Sequence, residues 1–124
     1  MRRGANLTQL NDDVIVANKD LLFCPKDGNE RLPMSASISL PFSADSSSDF
    51  GCEVKLTGLL PRTTTVHGTD SLQAVSLALF SVTNHLRMLE SMGTLYYPDG
   101  DKYSVDEDFA FIRRLSEMSM PPQG

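Results

Sequence analysis

No apolar run in this chain approaches the ~20 residues that a membrane-spanning helix requires, so no membrane association is expected. The opening residues, MRRGANLTQLNDDV, hold two arginines but no apolar stretch behind them. No secretory signal is read there, and the cytoplasm is the expected compartment. Cysteine is scarce. Cys24 and Cys52 stand far apart and form no CxxC pair, which argues for two free thiols in a reducing compartment, although spacing does not exclude a bridge between neighbouring strands. Clustered lysine and arginine are missing too. The formal net charge is −5, and from Tyr96 onward six acidic groups face three basic ones. That balance disfavours binding to a nucleic-acid backbone and suits a basic protein partner. No internal repeat is visible.

What is there fits one domain spanning residues 1–124, with 40% apolar content to build a modest core. Residues 1–12 read as a flexible polar start, and 13–67 as strand-rich. Asp13–Phe23 is strand-like at both ends, as one bulged strand or a tight hairpin. In LPMSASISLPF, Met34, Ala36, Ile38, Leu40 and Phe42 alternate with Ser35, Ser37, Ser39, Pro41 and Ser43. That period of two points five apolar groups inward and a serine row outward. Pro41 cannot donate to a ladder, which places that end at an edge or a bulge. After a polar connection, Phe50, Cys52, Val54 and Leu56 repeat the alternation, and TTTVH suits a further strand. The expected fold class is α+β: an antiparallel β-meander of three to five strands, covered on one face by a long α-helix, with a second C-terminal helix.

The long helix is expected over 70–92. Gly68 lets the chain turn, Asp70 is a good N-cap, Gln73 completes a loose capping box, and Gly93 ends the helix. Leu72, Val75, Leu79, Val82, Leu86 and Leu89 recur at helical spacing as the stripe that faces the sheet. Ala74, Leu77, Ala78, Ser81, His85, Met88 and Met92 flank it, and Phe80 falls on the solvent side. These apolar residues cover more of the helix than one buried face needs. The C-terminal helix over 104–118 is the expected cover for that flank, with a partner or a second copy as the alternative. TLYY reads as a short strand, and Ser104 with Glu107 as a capping box that starts the last helix.

Chemistry is thinly represented. His67, Asp70 and Ser71 lie close in HGTDS, but a nucleophile needs a base within reach and a group to orient it; Asp70 is better explained as a cap. His85 and His67 have no paired spacing for zinc. Counting a calcium loop from Asp99 puts Ser104 at the sixth position and Ala110 at the twelfth, where glycine and glutamate belong. No catalytic, cofactor-binding or metal residue is therefore assigned, and no cofactor is expected. Asp99, Asp101, Asp106, Glu107 and Asp108 form a candidate protein-binding patch. Leu77, Phe80 and Met88 form a candidate helix interface.

The run HGTDSLQAVSLALFSVTNHL resembles a small bacterial family of unknown function, whose members share a strand leading into Gly-x-Asp-Ser-x-Gln-Ala and a Leu/Ala-rich helix. Gly68, Asp70, Ser71, Gln73 and Ala74 carry that resemblance, followed by Leu77, Ala78 and Leu79. It implies an α+β domain and brings no activity with it. The family's usual ending, a short strand with a Gly-Phe-Pro-like close, is replaced here by an acidic loop and DFAFIRRL.

These observations lead to a non-catalytic domain that binds another protein, with an immunity- or antitoxin-like inhibitor of a basic partner as one concrete form. Two alternatives remain. One is a small-molecule-binding or enzymatic domain with a pocket between sheet and helix, which a pocket lined by Tyr96, Tyr97 or His85 would favour. The other is a homodimer built through the long helix.

Overall fold

Among the residues described by the computed structural model, 15–43 and 49–110, six strands and two helices follow in order. They are β1 (Ile15–Pro25), β2 (Leu32–Ser39), β3 (Phe42–Ser43), β4 (Phe50–Thr57), β5 (Arg62–Gly68), α1 (Ser71–Met92), β6 (Gly93–Tyr96) and α2 (Val105–Asp108). The polar start and most of the expected C-terminal helix, with Phe111, Ile112, Leu115 and Met118, lie outside the described residues.

The strands form one antiparallel sheet, in which β5 pairs with β4, β4 with β2, β2 with β1 and β1 with β6. The α+β arrangement expected from the patterning is present. Asp13–Phe23 resolves as one strand from Ile15 onward, with a register irregularity between Ile15 and Ala17. Side chains at every second position point to one face, so Leu21 and Phe23 of β1, Met34, Ala36 and Ile38 of β2, and Cys52, Val54 and Leu56 of β4 bury together. α1 lies over that face. It starts beside β5 at one edge of the sheet and delivers the chain to β6 at the other.

The row of five inward residues is interrupted after Ile38. Ile38 pairs with Val54 but Phe42 pairs with Gly51, so four steps on one strand match three on the other. This is a β-bulge around Ser39–Pro41. One extra residue reverses the alternation: Leu40 is exposed, and the Phe42 ring lies across Gly51 beside Thr65, on the face away from α1. The hydroxyl of Ser39 repairs the ladder by accepting the Glu53 N–H at 2.8 Å, and the Ser39 carbonyl accepts from the Cys52 thiol at 3.1 Å. Both cysteines are free.

The buried stripe of α1 is also rotated from the expected one. Ala74, Ala78, Val82, His85, Leu86 and Leu89 are buried, whereas Leu72 is 76% exposed. Two alanines at the contact let the helix sit close to the sheet. Leu86 and Leu89 then contribute about 2 kcal/mol each by leaving water. At both ends a glycine permits close approach. A Cβ on Gly68 would run into the backbone of Gln73 and Ala74, and one on Gly93 into the Cys24 carbonyl. Gly68 therefore serves to seat the helix rather than to turn the chain, since its φ is not in the left-handed region.

Candidate functional site

The residues of the HGTDS motif are absorbed by the start of α1. Asp70 accepts the Gln73 N–H at 2.8 Å, and the Gln73 side-chain oxygen accepts from the Thr69 N–H at 2.7 Å. This reciprocal pair satisfies one donor that the first helical turn leaves open and the backbone donor of the residue just before the cap. His67 and Ser71 stay exposed on either side. Among the described residues no group of three or more His, Cys, Asp or Glu side chains is placed to hold a metal.

A concavity lies where α1 overlooks β5. It is a groove of about 910 Å³, walled on one side by Leu77, Phe80, Ser81, Asn84, His85 and Met88 of α1. The other wall is the β4–β5 turn with Leu59, Leu60, Pro61 and Arg62, followed by Val66 and His67. Gly58 holds that turn at φ 112°, a left-handed conformation that glycine adopts readily, and so presents Leu59 and Leu60 to the groove. Phe80 is 55% exposed, and Leu77 and Met88 are 40% exposed each. The three candidate interface residues thus sit together on one wall. The described C-terminal residues run along another side of α1, where the Val105 N–H donates to Glu90 at 2.9 Å and Arg87 pairs with Asp106 at 3.6 Å.

His85 is the buried polar side chain among the described residues that line the groove. It is 6% exposed and has no hydrogen-bond partner among the described residues. Burial, and secondarily the nearby Arg62 guanidinium, hold its pKa below the ordinary histidine value. The imidazole is therefore neutral at pH 7, with one donor and one acceptor unspoken for.

The five acidic candidates lie at the other end of the molecule, and two of them are already engaged. Asp108 meets Lys19 at 2.9 Å and accepts from the Tyr103 hydroxyl at 2.7 Å, and Asp106 meets Arg87. Tyr103 is buried edge-on against Tyr97, with ring centroids 5.2 Å apart, and Lys19 lies over both rings. Burial, then the bond to Asp108, pushes the Tyr103 phenol far above its ordinary pKa. Asp99 and Asp101 cap a turn, the former accepting the latter's N–H at 3.0 Å. Of the five, Asp99, Asp101 and Glu107 remain as exposed carboxylates without an ion pair among the described residues. The sequence reading missed the Leu59–Leu60 wall and the Lys19–Tyr97–Tyr103 cluster, and only adjacent leucines in a turn hinted at the first.

Sheet, helix and groove together define an α+β domain with an apolar furrow along one edge. No helix among the described residues is long and apolar enough to cross a membrane. No family model matches this chain, and no curated protein or solved structure does either.

Proposed function

We propose that this chain is a non-catalytic protein-binding domain of the bacterial cytoplasm, and that it engages its partner through the groove between α1 and the β4–β5 hairpin. One observation carries the reading: Leu59, Leu60, Leu77, Phe80 and Met88 are all exposed around a single concavity. Scattered surface leucines are ordinary, but a contiguous apolar strip marks an association surface. An immunity- or antitoxin-like inhibitor is one form of this reading. A basic partner would then touch the exposed Asp99, Asp101 and Glu107, and the apolar groove would supply most of the affinity.

The test is affinity capture from host lysate with the whole chain and with a Leu77→Glu/Met88→Glu variant. A protein retained by the first and lost from the second supports the reading. Identical captures from two equally folded proteins would count against it. A second reading, a pocket for a small apolar molecule, is favoured by His85, whose buried imidazole, unpartnered among the described residues, would fix a ligand's orientation.

A further inference from the structure

The two edges of the sheet are treated differently. β6 is four residues long, and its outer side is closed by its own chain: Tyr103 N–H donates to the Leu95 carbonyl at 2.9 Å, Tyr96 bridges to Lys102, and Arg31 stacks on the Tyr96 ring. β5 has none of this. It is seven residues long, pairs in unbroken register with β4 on one side, and has no strand partner on the other among the described residues. Its sequence, RTTTVHG, contains no proline, lysine or bulge, the usual devices that keep an edge from pairing. The exposed flank of α1 with Leu77, Phe80 and Met88 overlooks this same edge. The helix layer therefore offers cover for one strand more than the sheet provides.

We infer that the missing strand is β5 of a second copy, so that two chains join edge to edge into one continuous antiparallel sheet with their α1 flanks side by side. The inference rests on the association reading above and names the occupant of its groove. Antiparallel pairing of a strand with itself is two-fold symmetric, so one surface serves both copies. A register centred on Thr65 sets Thr64 and Val66 on the helix side. It also brings the start of one β5 opposite the end of the other. Arg62, which makes no ion pair among the described residues, then faces Gly68 of the second copy, two residues from that copy's Asp70. The contact is complementary in charge and occurs twice. Although each chain carries −5, no carboxylate among the described residues lines the groove. The acidic residues Asp99, Asp101 and Asp106–Asp108 accompany β6 and α2 at the opposite edge, so self-association does not bring them together.

Sedimentation or light scattering on the full chain, from micromolar to millimolar concentration, tests this. The expected result is a species of twice 13.6 kDa. Thr65→Lys should return it to the single mass. Within one chain the new lysine faces Glu53 across the β4–β5 pair, which favours folding, while at the dimer axis it meets its own copy. Phe80→Glu, on the exposed helix flank, is the second probe and should also give monomer with an unchanged cooperative melt. A wild-type chain that stays at 13.6 kDa throughout, or a dimer that survives Thr65→Lys, overturns the inference. If the chain is a monomer and the Leu77→Glu/Met88→Glu variant still loses a captured host protein, the self-pairing alone fails. If that capture is unaffected, the association reading fails with it.

Discussion

Ala78→Leu and Leu72→Ala separate the packing of α1 from the pattern of apolar residues that runs through it. By apolarity, Leu72 anchors the stripe and Ala78 only flanks it, so truncating the leucine should hurt and enlarging the alanine should be tolerated. The packing ranks them the other way. Leu72 is 76% exposed, and removing most of its side chain takes little surface out of burial, so the expected change is within about 0.5 kcal/mol. Ala78 is 0% exposed and stands where α1 meets the sheet. Three added carbons must displace the helix or force strained rotamers, which costs about 1–3 kcal/mol. With a urea slope of about 1–3 kcal/mol/M for a small protein, Ala78→Leu lowers the unfolding midpoint by roughly 1 M. Leu72→Ala leaves it in place. Both are read by far-UV circular dichroism in urea, with the slope checked for constancy. Equal midpoints, or a larger loss for Leu72→Ala, would refute the rotated placement of α1.

Gly93→Ala is expected to destabilise by about 1–3 kcal/mol through steric overlap with the Cys24 carbonyl. Its φ of 178° is extended backbone that any residue adopts. Amide exchange at Thr94 and Leu95 should accelerate selectively, and unchanged protection would contradict the close approach. Cys24, half-exposed, should react with a thiol reagent in the native state. Cys52, fully buried and with its thiol pKa raised by burial, should react only on unfolding; equal rates would reject that assignment. The pH dependence follows from His85. Because its folded pKa is lowered from 6.5, the unfolded chain takes up the proton first as pH falls. The stability of the neutral buried form is therefore present above that value and lost below it. His85→Gln removes this component, so the wild-type advantage over the variant should shrink from neutral pH to about pH 5. Parallel stability curves would speak against a neutral buried imidazole.

Much of the architecture was legible because the β-strands obey a period of two that few other structures produce. Cys52, Val54 and Leu56 read correctly, as did Met34, Ala36 and Ile38, because an uninterrupted ladder fixes the facing of each. Leu40 and Phe42 misled. Pro41 signalled an edge or a bulge, but which side chains a bulge turns over depends on the register with β4, which is a property of two strands and not of one. The helix misled for another reason. Alanine contributes little to an apolarity count, yet it is what a close helix–sheet contact requires, so Ala74 and Ala78 outrank Leu72. The acidic candidates were visible as letters, whereas the pairing of Asp108 with Lys19 joins positions far apart in the chain and left no local signal. The groove was half legible: its α1 wall came from helical spacing, and its second wall from a hairpin turn whose facing only the fold determines.

The path of α1 from one edge of the sheet to the other has a consequence for the order in which the chain is made. β2, β4 and β5 can each pair with a strand already made as they emerge during synthesis, since every such pairing joins near neighbours in the chain. The outer side of β1 must wait. Its partner β6 lies beyond the whole helix, with Phe23 joining Leu95 across more than half the chain. A nascent chain therefore holds a nearly complete meander whose first strand is still open, and the arrival of Gly93–Tyr96 is the event that shuts it.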